Sequence, residues 1–534
     1  MSLHGALTAA FSVLFAACVT VGRHIVYSGE LEAKQTLNYM TELGAADLAV
    51  FAAVALLTAA ALHLAAKAIN AVYSPLQAPR RDMRRFACMA ALCLLAAWLP
   101  YALTVAPGNV YSDSLNSIVQ VMNKGRPTNN HHPVFYTFAV GWLARISIAL
   151  FGTANAGVMV YSVCQAALMI LCIVCVLALM YDNGAPRAVV GLALAYYMLI
   201  PVFPNYAVTM WKDPLYSCML LMLSVLLFVL VRRGEVGRTW FVLYAAAGLG
   251  TMALRNNGMY VYAALTILTA VLLRRYAKRI LISGLAALAL FIGVSRAADY
   301  VWSIQGDFVE NVGIPLQQLG YAINNDGEFS EEDREYLYKL MPEEVWNYAY
   351  RPCIVDTIKW NPQFNFYFLD DTKAEFFGVW FRGLLRNPLA YVKAYLMATY
   401  GFWMPGVQDE FGYMEVFIQV NEYGIRHLDL FERLFGFSIM PLVERFIVYI
   451  GSGTLLWLCL LGCVLAMGRR GASCAVYLPA LLNWGTVMIA APVAFSMRYV
   501  FVFMLGLPLY LAAPLMLCAD GQEEAQPCCA AEKR

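Results

Sequence analysis

Apolar runs of roughly 17 to 25 residues recur along this chain, the length a helix needs to cross a hydrocarbon core about 30 Å thick. Runs of that length also rule out a membrane barrel, whose strands alternate in polarity over about ten residues. Composition agrees. Hydrophobic residues make up 61% of the 534-residue chain and charged ones 13%, where soluble domains carry about 25% charged residues. The expected fold is therefore an all-α polytopic membrane protein with about twelve spans.

The run from Ala6 to Gly22 has neither a basic leader nor a convincing small-residue cleavage site, so it reads as a retained helix. Net charge is only +2, but the cations cluster in short loops: Arg80-Arg81 with Arg84-Arg85, Arg232-Arg233 with Arg238, Arg274-Arg275 with Lys278-Arg279, and Arg469-Arg470. The positive-inside bias makes these loops cytoplasmic. Spans are then expected near 5–22, 45–70, 86–105, 156–180, 188–204, 215–231, 239–254, 259–273, 280–295, 446–467, 473–491 and 498–517, with both termini cytoplasmic. The stretch Val134–Phe151 is long enough to cross, but counting it would turn later basic loops outward. It opens after Pro133 and carries Arg145, and it is read as an interfacial helix on the outer leaflet.

This threading divides the chain into N-terminal spans (1–105), an exterior catalytic loop with interfacial helices (106–155), central spans (156–295), an exterior, mainly helical domain (296–445), C-terminal spans (446–517) and a cytoplasmic tail (518–534). Most cysteines fall in or beside apolar runs, and the exterior domain holds only Cys353, so no disulfide framework is expected there. Cys528-Cys529 in the tail are candidates for lipidation or metal binding, although a bland tail is the simpler reading. Within the acidic exterior domain, Ser330-Glu331-Glu332-Asp333 and Met341-Pro342-Glu343-Glu344 read as capped helix starts. Trp360, Phe364, Phe366, Tyr367 and Phe368 read as core packing or as a surface for a sugar or peptide. No glycine pattern for a nucleotide is present.

Candidate chemistry gathers at the exterior ends of the spans. Asp113 precedes Leu115, Ile118, Val119 and Met122, which recur at helical spacing. It is either a cap or, held near an apolar surface with a raised pKa, a general base. His131 and His132 are adjacent, so they diverge on any regular backbone and suit a hydrogen bond to phosphate, or a pairing with Asp113, better than one shared metal. Asp213-Pro214 reads as a helix opening. Lys212, Arg255 and Arg498 run against the charge bias that orients the protein, and they either snorkel or converge on a phosphate. Asn256, Asn257 and Gly258 beside Arg255 offer amides and a close backbone approach.

In this order, these residues resemble the C-type integral-membrane glycosyltransferases, the superfamily of the protein O-mannosyltransferases and lipid A aminoarabinose transferases. Asp113 matches the acidic residue of the family's first exterior loop. His132-Pro133-Val134-Phe135-Tyr136 matches its proline-opened interfacial helix, and Lys212-Asp213-Pro214-Leu215 its second exterior loop. Arg255-Asn256-Asn257-Gly258 and Arg498-Tyr499 with Pro508 resemble its later basic motifs. The chain departs from the pattern in two extra N-terminal apolar segments and in the single acidic residue of the loop. It is also similar to bacterial polytopic membrane proteins that carry no substrate assignment.

The resemblance implies an inverting glycosyltransferase that moves a sugar from a polyprenyl-phosphate carrier to a cell-envelope polymer, lipid or protein on the outer face of a bacterial membrane. Asp113 and Asp213 would be catalytic, and His131, His132, Lys212, Arg255, Asn256, Asn257, Arg498 and Tyr499 would bind substrate. No cofactor is required, a divalent metal is optional, and no nucleic-acid partner is expected. An O-antigen ligase or polymerase type of transferase, working through Arg426 and His427, is the first alternative. A transporter is the second, although such proteins keep ionisable groups at mid-membrane.

Overall fold

The structure, a computed structural model, describes residues 3–26, 39–72, 82–122, 129–304, 306, 308–407, 416–445, 450–490, 494 and 496–517. Arg80-Arg81 and the tail with Cys528-Cys529 lie outside these residues. The membrane half begins with α1 (Leu3–Gly22), α2 (Ala45–Val72), α3 (Met83–Thr104), α4 (Ser112–Met122), α5 (Val134–Phe151) and α6 (Asn155–Asp182). It continues through α7 (Arg187–Leu199), α8 (Val202–Val208), α9 (Lys212–Arg233), α10 (Arg238–Leu254), α11 (Gly258–Leu272) and α12 (Ala277–Trp302). A helical unit outside the apolar helices, called the exterior unit for that position, follows: α13 (Gly313–Asn324), α14 (Glu331–Leu340), α15 (Glu343–Ala349), α16 (Asp356–Lys359), α17 (Phe366–Asp371), α18 (Lys373–Arg386) and α19 (Pro388–Thr399). Two short helices, α20 (Leu430–Phe435) and α21 (Met440–Arg445), lead to α22 (Ser452–Met467), α23 (Leu478–Ala490) and α24 (Phe501–Met516). Among the described residues the only sheet pairs Ile25–Val26 antiparallel with Tyr39–Met40.

Among the described residues eight helices are long and apolar enough to cross a membrane, or nine crossings if α7 and α8, bent by 55°, form one, and α11, α22 and α23 are shorter apolar helices. The protein is an all-α, multi-pass membrane protein. At its centre α9 and α24 are the most enclosed spans, packed on α6 and α22 through Leu220, Leu227, Phe501, Leu505 and Tyr510. Helices buried this fully hold their ends rigidly, which suits them to carry functional groups.

The basic clusters collect at one end of the bundle. Arg233 meets Asp182 at 3.6 Å and Arg275 meets Glu235 at 3.0 Å, while Arg469 donates to Asn70 at 3.4 Å. Arg84 and Arg85 open α3 beside Asp82, whose carboxylate accepts from the Tyr181 hydroxyl near the close of α6 at 2.9 Å. The opposite end carries the starts of α9 and α24 and the close of α10.

The start of α5 and the start of α6 lie at that second end. Tyr136 near the start of α5 donates to the Met210 carbonyl at 2.8 Å, and Tyr161 early in α6 donates to that of Trp211 at 2.9 Å. Their rings are 6.1 Å apart. From there α6 runs to the basic end, where Asp182 sits, and residues 152–154 alone join α5 to α6. One stripe of α5, with Thr137, Val140, Ala144 and Ser147, is buried, and Trp142, Ile146, Leu150 and Phe151 are exposed. Gly152, in the left-handed region at φ 75°, ends the helix and lets the chain turn back.

The exterior unit has its own core around Leu319, Leu337, Trp346, Phe376 and Tyr391. Ser330 caps α14 as expected, its hydroxyl accepting from the Asp333 N–H at 3.2 Å. By contrast, α15 begins after Pro342 without a side-chain cap. The boundary expected at 295/296 falls inside α12, which continues to Trp302. Of the exterior aromatic cluster, Phe364 is core, whereas Trp360 and Tyr367 are exposed.

Candidate active site

The loop before α4 is fixed first. Asn109, fully buried, donates to Asn205 Oδ1 at 2.8 Å and to Thr209 Oγ1 at 3.0 Å. Ser114 and Tyr136 then converge on the Met210 carbonyl and lock the first turn of α4 against the start of α9. Asp113 sits in that turn. Its Oδ2 lies 3.0 Å from an Arg498 guanidinium nitrogen and 3.8 Å from Lys212 Nζ.

The start of α9 differs from the expected cap-then-proline opening. Trp211, in extended conformation, is the cap residue, and Lys212 and Asp213 are the first two helical positions. Successive helical residues diverge by about 100°, so the two side chains part. Lys212 lines the cavity described below and lies 3.1 Å from His132 Nδ1, whereas Asp213 is buried and pairs with Arg255 at 3.2 Å. Asp213, expected to be catalytic, is therefore beneath the cavity wall and absent from its lining.

Arg255 and Arg498 share one aromatic partner. The Tyr499 ring lies 4.7 Å from the Arg255 guanidinium and 4.9 Å from that of Arg498. Arg255 also donates to the Tyr499 carbonyl at 3.2 Å, and Arg498 to the Tyr499 hydroxyl at 3.1 Å and faces the Trp211 ring at 5.2 Å. Asn483, buried in α23, holds the same carbonyl at 2.8 Å. Tyr216, whose ring lies 5.6 Å from the Arg255 guanidinium, was not among the expected residues, nor were Asn483 and Trp211. They carry no charge and belong to apolar runs, so no local signal separates them from ordinary packing.

The amides after Arg255 have protein partners: Asn256 donates to the Asn130 carbonyl at 2.9 Å and Asn257 to Thr486 Oγ1 at 2.6 Å. Gly258 does serve a close approach, but to α10. A Cβ there would collide with the Thr251 carbonyl.

These parts line one cavity of about 1550 Å³, walled by Asp113, His131, His132, Lys212, Arg255, Asn256, Asn257, Arg498 and Tyr499 on the membrane side. The exterior unit supplies Glu310, Asp356, Lys359 and Trp360 to the same space, and α12 supplies Phe291 and Ile292. His131 joins the halves, 3.5 Å from Glu310 and edge-to-face with Trp360 at 5.4 Å. Arg426 and His427 are not in the lining.

Burial would raise the Asp113 carboxyl, but Arg498 and then Lys212 outweigh it and hold the group well below the usual carboxylate range. This overturns the expectation of a raised pKa, which considered apolar surroundings and not the cations. His132 is pushed down to about 2, by burial first and Lys212 second. The imidazole is thus neutral. Because an ammonium can only donate, Nδ1 accepts and the ring proton sits on Nε2.

A family model, DUF6020, described as a family of unknown function, matches residues 123–527. The match spans His131 to Tyr499 and begins after Asp113. No curated protein and no solved structure matches the chain.

Proposed function

The chain belongs to the DUF6020 family, whose function is unknown, so its activity has to be read from the site: we propose an inverting glycosyltransferase that takes a sugar from a polyprenyl-phosphate carrier. One observation carries this reading. Asp113, Lys212, Arg255 and Arg498 meet in a single cavity at the end of the bundle away from the basic loops. A carboxylate beside three cations, next to apolar helices, suits a reaction whose leaving group is a lipid-borne phosphate.

Asp113, a weak base in its ion pairs, orients the acceptor hydroxyl and takes its proton only as the attacking oxygen bonds to the anomeric carbon and becomes strongly acidic. The bond from that carbon to the phosphate oxygen breaks on the opposite face and its electron pair leaves with the phosphate, which Arg498, Arg255 and Lys212 neutralise. Asp213, paired with Arg255, positions that guanidinium. Apolar Phe135, Phe291 and Ile292 in the lining give the carrier lipid a route from the bilayer.

In the same reading α5 lies flat at the outer leaflet. Counting α7 with α8 as one pass, and including α10 and the three shorter apolar helices, the chain then crosses twelve times. The positive-inside bias places the basic end and both termini in the cytoplasm and the cavity outside. A ligase-type reading through Arg426 and His427 has less support. The Arg426 backbone donates to Asn155 at 3.1 Å, at the start of α6, and neither residue faces the cavity.

The test is turnover of polyprenyl-phosphate-linked sugars in proteoliposomes. Asp113→Asn is expected to reduce transfer by about 10²- to 10⁴-fold. Full activity of that variant would remove Asp113 from the chemistry and this proposal with it.

A further inference from the structure

The two walls of the cavity differ in chemistry. On the membrane side Lys212, Arg255 and Arg498 face two carboxylates, Asp113 and Asp213, an excess of one positive charge. On the exterior side Glu310 and Asp356 flank one buried cation, Lys359, whose Nζ is 2.9 Å from Glu310 and 3.0 Å from Asp356. That wall therefore has an excess of one negative charge. It also presents Trp360, 49% exposed even though its ring is fixed by neighbours, with His131 at 5.4 Å and Phe366 at 6.0 Å.

A fixed, half-open indole flanked by carboxylates is the chemistry that binds a sugar ring. Axial C–H groups pack on the aromatic face, and carboxylates accept from hydroxyls. The same carboxylates repel a phosphorylated polymer. Contacts run from this wall to the base without a break. Trp360 meets His131, whose ring is 4.4 Å from that of His132; His132 meets Lys212, and Lys212 meets Asp113. A molecule seated on Trp360 thus lies in the same cavity as the group proposed to deprotonate it.

We propose that Trp360, with Glu310 and Asp356, forms the acceptor subsite and that the acceptor is a neutral carbohydrate. This rests on the transferase reading for its role, but the binding site itself can be tested alone. Lys359, which burial would discharge, stays charged because Asp356 and Glu310 offset that effect, so the carboxylates are held in place by an internal counter-ion.

The experiment measures retention of neutral gluco-, manno- and galacto-configured oligosaccharides by the full-length protein in nanodiscs, with poly(glycerol phosphate) as the anionic comparison. Neutral glycans should bind and the polyanion should not. Trp360→Ala should weaken glycan binding by about tenfold and Trp360→Phe by less, with Glu310→Gln as a second variant that keeps the ring. Preference for the polyanion, no retention of any neutral glycan, or unchanged binding in Trp360→Ala overturns the proposal. If Asp113→Asn abolishes transfer while Trp360→Ala binds glycans normally, the subsite fails and the transferase reading stands. If binding depends on Trp360 but no lipid-linked sugar is consumed, the transferase reading fails and the carbohydrate site stands.

Discussion

Arg498 meets Asp113 through one oxygen, Oδ2, which Lys212 also approaches, at 3.0 and 3.8 Å. Both closest approaches fall on the same carboxylate oxygen, so the two cations act on Asp113 together. The cations do not depend on Asp113 alone: Arg498 stacks on Trp211 and Tyr499, and Lys212 is held by His132.

Arg498 should behave as a leaving-group residue. Arg498→Ala is expected to lower kcat by about 10²- to 10³-fold. Arg498→Lys keeps the charge but loses the planar stack and should fall between that variant and the wild type. Steady-state turnover of a lipid-linked sugar checks both. An unchanged kcat in Arg498→Ala would mean that no charge develops beside it.

The pH dependence follows from the depressed Asp113 carboxyl. A free carboxyl titrates near 3.9, and this one titrates lower, so kcat/KM, which reports the free enzyme, should show no acid limb from Asp113 above about pH 4. Removing Arg498 leaves burial with less opposition. Arg498→Gln should therefore move that limb upward, and a limb at unaltered pH would contradict the coupling.

Asp213 should be chiefly a stability residue. Its side chain is 1% exposed and its partner Arg255 14%. Asp213→Ala leaves a largely buried guanidinium unpaired, at a cost of about 3 kcal/mol. Asp213→Asn keeps a hydrogen-bond acceptor and should cost less. Thermal unfolding in detergent would reveal the order, and equal midpoints for all three proteins would refute it.

His132 gives acid sensitivity in a defined window. Its folded pKa, about 2, lies below the unfolded value near 6.5. The unfolded chain therefore binds more protons between those limits, and stability falls as pH drops through that range. His132→Asn, which retains an acceptor for Lys212, should flatten the slope of melting temperature between about pH 6.5 and 4. Asp113 contributes in the same direction only below about pH 4, so the two effects separate.

The fold class was legible because apolar run length and loop charge are local properties, and Ser330 and Pro133 marked helix starts where helices begin. The cations Lys212, Arg255 and Arg498 were legible for a physical reason too: each opposes the charge bias, and all three line the cavity. The fate of Asp213 was hidden. One step along a helix separates it from Lys212, and only packing decides which of the two faces the cavity and which the interior. Glu310 and Lys359 were hidden by distance along the chain, since nothing near residue 131 in sequence announces an exterior unit folding back over it. The raised pKa expected for Asp113 failed because the partners that set it come from α9 and the short turn before α24, far from its loop.

The placement of α5 bears on how the protein is made. An 18-residue apolar helix emerging from a ribosome is recognised by its own hydrophobicity, before Met210 and Trp211 exist to hold Tyr136 and Tyr161. If α5 lies flat as proposed, a nascent chain halted just after Phe151 should insert this segment across the bilayer, and one extended past α9 should not, a difference that a cysteine-accessibility label placed after Phe151 would read.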